Sequence, residues 1–384
     1  PVACSMLADL GADVIKIESR TGDPIRGITR WTGVPVTMPQ GRNFFFEHHN
    51  RNKRSLTVDL KRPEGRDIVY RMVERSDVFV QAFRRRAAKS LGMDYETLAR
   101  HNPRLIYASA SASGPKGPDS EEAGFDYTAL ARSGMMTALG EPGMPPLAPL
   151  PGYADQMGAT TLAYGILAAL VARERLGIGQ ELDVSLLGSM VHLQRLLVSA
   201  AFMLGAEFPK HERARAYNPL WNHYRCRDDK WLAVAMAEPD KFWHGFCQAL
   251  GIGHLEHDLK YQDARRREEN CAELIAILDG IFATSGRQEW LAILKGHGVI
   301  ATPVNSFLDL VSDPQLTAND YVISYDHPVL GRITTGGFPV QFGKTPASVR
   351  MAPPALGQHN EEVLVDVAGY SREEVAALKE KEVI

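Results

Sequence analysis

The sequence predicts an α/β protein whose larger domain has a mostly parallel sheet. Three observations carry this. Short β-type runs alternate with helix-type segments up to Leu204. Composition then shifts to a polar, basic and aromatic stretch. β-type runs return near Tyr321, so the larger domain is expected to draw on both chain ends.

The elements follow in order. Met6 to Ala12 reads as the end of a helix closing on Gly11, before which a first strand and loop are expected. Residues 13–18 (DVIKIE) and 55–60 (SLTVDL) form β-type runs. Pro63 opens a helix through Glu74, since its fixed φ suits the first turn. Residues 77–80 form a strand, 94–101 a short helix and 104–108 a strand. Residues 111–155 hold most of the Gly and Pro punctuation, and long loops inside a compact domain are often functional. A long apolar helix is expected over 156–176, stopped by Gly177, then a strand over 181–184 and a second long helix over 185–204. The domain organisation is therefore 1–204 as the first part of the large domain, 205–230 as a linker, 231–309 as a smaller α+β domain rich in helix, and 310–384 as a linker and return to the large domain.

Bulk properties narrow the function. The 384 residues carry a formal net charge of -3, with 45% hydrophobic and 23% charged side chains. This balance gives no reason to expect a nucleic-acid or membrane partner. The four cysteines are scattered without a CxxC pair, which argues against a disulfide framework or a zinc knuckle and fits a reducing, cytoplasmic setting. The longest apolar stretch, residues 158–172, is short for a membrane span. There is no GxGxxG, P-loop, HExxH or GxSxG motif, and no metal-ligand spacing.

Three segments remain as candidates. Residues 50–55 (NRNKRS) form a basic turn before a strand, readable as a phosphate contact or as a solvated loop. Phe83-Arg84-Arg85-Arg86 follows the 77–80 strand and leads into a helix, a position that suits a nucleotide phosphate or a solvated charge run. Asp155 ends the Pro-rich loop before the long helix, where Asp is a preferred N-cap. Helix N–H groups would also keep that carboxylate ionised, as a carboxylate nucleophile requires.

Taken together the chain resembles the family III coenzyme A transferases (the CaiB/BaiF family, which includes formyl-CoA transferase). The matching stretches are LADLGADVIKIE (7–18), GDPIRG (22–27), NRNKRSLTVDLKRPEGR (50–66), SDVFVQAF (76–83), LGMDYETLARHNPRLIYASASASG (91–114) and YADQMGATTLAYGILAALVARERLGIGQELDVSLL (153–187). Later matches are HGVIATPVNS (297–306), DPQL (313–316) and APPALGQHNEEVL (352–364).

The resemblance implies a Rossmann-like large domain, a smaller second domain and an interlocked, ring-like homodimer. It implies transfer of CoA from an acyl-CoA donor to a carboxylic acid acceptor, with CoA as substrate and product and no metal. The catalytic aspartate falls on Asp155. CoA contacts fall on Val58, Asp59, Leu60 and Lys61, on Ala82, Phe83 and Arg84, and on Ala123, Gly124, Phe125 and Asp126. A basic contact position falls on Ser90, with Lys89 beside it as the expected substitute. An arginine position falls on Ser19, with Arg20 adjacent. The Arg84–Arg86 cluster stands where a Gly-Pro-Gly turn is usual, and residues 217–224 replace the Gly-rich flap of formyl-CoA transferase.

The implied chemistry is an aspartyl-acyl mixed anhydride on Asp155. Oxyanion donors are expected from the Gly124–Asp126 backbone and the opening N–H groups of the long helix. Three alternatives stay open on the same fold: an α-methylacyl-CoA racemase, a CoA-dependent lyase and an inactive CoA-binding subunit. Racemisation would call for a histidine where Phe125 stands.

Overall fold

A computed structural model describes residues 1–384. The chain forms two compact units. One comprises residues 1–137, 148–207 and 318–384; the other comprises 138–147 and 208–317.

The larger unit is built on parallel strand pairs, as the strand–helix alternation requires. Val14–Glu18 pairs with Lys53–Thr57, and a three-stranded sheet runs in the order Val78–Gln81, Ile106–Ser111, Gln180–Ser185. Helix Pro63–Val73 has its proline in the first turn and buries Ile68, Val69, Met72 and Val73. The C-terminal segment shares this core: Val363, Leu364, Val375, Leu378 and Val383 pack with Leu56, Val58 and Ile68. A backbone bond from Asp59 N–H to Val383 O fixes the chain end beside the 53–57 strand. Behind the three-stranded sheet, Leu162, Ala163 and Ile166 of helix Tyr153–Leu176 pack against Ala108 and against Ala3 of helix Val2–Asp9.

Expected helix 185–204 is broken. It divides into Leu186–Leu193 and Arg195–Leu204, bent by 75°. Gln194 sits at the break, and its side-chain amide donates to Ser133 O and Met190 O. No single helix is long and apolar enough to cross a membrane.

The NRNKRS turn is neither a solvated loop nor a free phosphate site. Arg51 forks onto both oxygens of Asp9, with its closest contact at 2.7 Å, and Asn52 donates to the same carboxylate at 2.8 Å. Lys53 is buried, and its ammonium donates to Pro1 O, His49 O and Asn50 Oδ1. Burial pulls the Lys53 pKa down to about 8. Arg54 pairs with Asp13 and Glu362. Every cation of the motif is thus committed to holding the chain.

The smaller unit has an antiparallel sheet in the order Ala301–Val304, Trp231–Ala235, Trp221–Arg225. Helices Pro239–Leu250, Cys271–Phe282 and Arg287–Gly296 cover a core of Tyr224, Phe246, Phe282 and Trp290. The stretch read as a linker over 205–230 therefore contains a paired strand. Its polar sequence hides a period of two: Asn222 and Tyr224 face inward, and Trp221 and Arg225 face out. Buried Asn222 is tolerated because its amide donates to Arg213 O.

Candidate active site

Helix Tyr153–Leu176 begins after Gly152, whose φ of 107° favours glycine. A glycine has no side chain with which to cap, so the first N–H groups need another acceptor. Asp126 supplies it. Its Oδ1 accepts from Ala154 N–H at 2.7 Å and Asp155 N–H at 3.1 Å. This corrects the expectation that Asp155 is the N-cap. Asp155 lies inside the first turn, and the cap reaches in from another helix, Asp126–Arg132. Nothing in the local sequence around residue 155 signals so distant a partner.

The electrostatics are corrected as well. Burial, and then the like charge of Asp126, raise the Asp155 pKa above the usual aspartate range. The helix N–H groups that would hold the charge already donate to Asp126 instead. Asp155 itself stays exposed, so solvent screens part of this shift.

The expected oxyanion donors divide accordingly. Ala154 and Asp155 N–H groups are taken by Asp126, and Gln156 N–H donates to Gly152 O at 2.8 Å. Phe125 N–H donates to Thr128 Oγ1 at 2.9 Å. The N–H groups of Gly124 and Asp126 remain. Gly124 is required here by close packing, because a Cβ would lie 2.5 Å from the Ala112 methyl. A cavity of about 230 Å³ opens beside this loop, lined by Ala123, Gly124, Thr128, Glu122 and Arg132. Arg132 within it pairs with Asp119 at 2.5 Å.

The other expected contact residues lie just past the carboxyl ends of parallel strands, where α/β sheets bind ligands. After strand 53–57 come Val58, which is buried, and Asp59, whose Oδ1 accepts from Lys61 N–H. Leu60 is half-buried, and the Lys61 side chain is exposed without a partner. After strand 78–81 come exposed Ala82 and Phe83, then Arg84 at the start of helix Arg85–Leu91. Arg85 reaches Glu181 at 3.4 Å, while Arg84, Arg86 and Lys89 are exposed and unpaired. The structure thus brings Asp155, Asp126 and the 123–125 loop together, and leaves Lys61, Arg84, Arg86 and Lys89 as free cations on strand-end turns.

Residues 1–360 match the family described as CoA-transferase family III. The chain belongs to that family. It is 31% identical to the cinnamoyl-CoA:phenyllactate CoA-transferase of Clostridium sporogenes, covering all of this chain and 93% of the relative. It is 33% identical to the succinyl-CoA:glutarate CoA-transferase of Mus musculus, over 96% of this chain and 83% of that one. A solved structure of a CAIB/BAIF family protein from Brucella suis superposes with a TM-score of 0.85 at 30% identity, covering 96% of this chain and 95% of the other. The Clostridium sporogenes and Mus musculus relatives are named as CoA-transferases, and the family III chain described here is an enzyme of that kind.

The Asp126–Asp155 pair makes a pH prediction. An Asp126→Asn variant keeps an oxygen for the Ala154 and Asp155 N–H groups and loses the charge. Removing a like charge lowers the Asp155 pKa. The acid limb of kcat/KM should therefore move to lower pH than in the wild type. Asp126→Ala should instead lose the cap, costing about 1 kcal/mol in denaturant unfolding.

Proposed function

We propose that this enzyme moves CoA from an acyl-CoA to a carboxylic acid through a covalent intermediate on Asp155. The observation that carries the reading is an exposed carboxylate at a helix start, backed by a second carboxylate, beside a glycine loop with two free N–H groups. An Asp155 oxygen attacks the thioester carbonyl, the C–S bond breaks, and CoA leaves as the thiolate. The acyl group is then held as a mixed anhydride on Asp155. The acceptor carboxylate attacks that acyl carbonyl, and Asp155 departs as a carboxylate. The thiolate next attacks the acceptor's own carbonyl in the resulting anhydride, forming the new thioester and releasing the donor acid. No net proton is consumed. The Gly124 and Asp126 N–H groups would receive the oxyanions. The raised Asp155 pKa fits this role, because a more basic carboxylate is the better nucleophile once ionised.

The CoA phosphates are proposed to lie against Lys61, Arg84, Arg86 and Lys89, and the thioester end against Ala123, Gly124 and Phe125. Arg84→Gln combined with Lys89→Gln should raise KM for the acyl-CoA roughly tenfold, about 1.4 kcal/mol, with little change in kcat. Added salt should shrink the difference.

A homodimer belongs to the same proposal. Tyr164, Leu167 and Val171 on one helix are exposed, as are Leu196, Phe202, Met203 and Leu204 on another, with Phe202 and Met203 each at 84%. Exposed apolar surface of this extent suits a partner chain. Light scattering should give about twice the mass of 42.4 kDa. For the activity, acyl-CoA donors such as succinyl-CoA and acetyl-CoA should be crossed with carboxylic acids and read by mass spectrometry. New acyl-CoA species that appear only with both partners support transfer. Repeated turnover of the acyl-CoA without any acid, beyond the single equivalent that acylates Asp155, would contradict it.

A further inference from the structure

Three aromatic side chains stand open to solvent around the carboxylate pair. Phe125 is 74% exposed, Tyr127 61% and Tyr153 47%. Each adjoins Asp126 or lies two residues from Asp155. Leu150, just before the helix, is also exposed.

Phe125 is not exposed through looseness. Its N–H donates to Thr128 Oγ1 and its carbonyl accepts from Thr128 Oγ1 at 2.8 Å and from Ala129 N–H at 3.2 Å. Gly124 before it is pressed against Ala112. The backbone is fixed while most of the ring faces solvent, so an apolar group bound there would gain contact area at little cost in ordering. Charge points the same way. No cationic side chain forms an ion pair with Asp126 or Asp155, and Arg132, the one cation lining the adjacent cavity, is already paired with Asp119. A second carboxylate on the acceptor would meet two acidic side chains, and the cavity lining offers it no unpaired cationic side chain.

From this we infer that the site selects monocarboxylic acids with an aryl or bulky apolar body over dicarboxylic acids, and that Phe125 is the residue that sets this preference. The inference rests on the transferase reading above. The test uses the full chain with acetyl-CoA as donor, first measuring acyl adduct on Asp155 without any acceptor. Then kcat/KM is compared for 3-phenylpropanoate and glutarate. The expected result is a preference for 3-phenylpropanoate of at least about tenfold, with Phe125→Ala reducing that ratio on the order of tenfold or more. A structural role alone would lower both acids in proportion and leave the ratio unmoved. An adduct on Asp155 together with a preference for glutarate, or with an unchanged ratio in Phe125→Ala, overturns the specificity and leaves the transferase reading standing. Absence of any adduct and of transfer to either acid overturns both.

Discussion

Replacing Asp155 by asparagine should lower turnover by about 10⁴-fold or more, as loss of a covalent nucleophile does, while leaving the folded protein at least as stable. The two halves of this expectation have one cause. The Asp155 carboxylate lies near Asp126 and has no ion-pair or hydrogen-bond partner for its side chain. Its folded-state pKa is raised above the unfolded value. The folded state then binds the proton more tightly than the unfolded state does, so stability falls as pH rises through the window between the two values. Above that window the charge opposes folding, and asparagine removes it. The stability gain of Asp155→Asn over the wild type should thus be larger at pH 7 than at pH 4. It should be modest, since the group is exposed. Thermal unfolding at both pH values, alongside kcat, measures it. A variant that is inactive because it is unfolded would not match this account.

Arg51→Ala should cost about 3–5 kcal/mol of stability, because it strands a buried charge on Asp9. The fork between Arg51 and Asp9, joined by Asn52, ties the start of strand 53–57 to the end of helix 2–9. Arg51 also donates to Gly336 O in the hairpin Val322–His327/Gly331–Gly336. Its removal loosens three parts of the larger unit at once. Urea unfolding should show the loss, and Asp9→Asn in the same background should recover part of it by removing the orphaned charge. A phosphate-binding arginine would behave differently, raising KM for acyl-CoA with stability unchanged.

These two residues show what the sequence could and could not reveal. Alternation of β-type and helix-type segments, with a return of β-type runs near Tyr321, made the α/β architecture legible, because periodicity is local. Helix 153–176 was also legible, although its start was placed three residues late at Gln156. The displacement arises because Gly152 cannot cap, and the cap comes from Asp126 across the fold. The same long-range bond turned the local expectation of an unusually stable Asp155 anion into its opposite. The charges of NRNKRS illustrate the limit from another side. Composition shows that cations are present, but only the fold shows that Asp9, Asp13 and Glu362 already hold the arginines and that Lys53 is buried among carbonyls. The helix break falls at Gln194-Arg195, a polar pair between two apolar runs that is too short to mark a break by itself, and there the glutamine amide bonds the Ser133 carbonyl. Residues 217–224 were recognisable as an unusual segment, while their strand was masked by polar side chains with partners elsewhere in the smaller unit.

The most direct test is intact-protein and peptide mass spectrometry after mixing the enzyme with an acyl-CoA and quenching without an acceptor acid. The account predicts a mass increase equal to the acyl group, located on the peptide that holds Asp155, discharged by hydroxylamine and absent from Asp155→Asn. Transfer of CoA to an acid at the wild-type rate by Asp155→Asn, or an acyl adduct on any other residue, would contradict it.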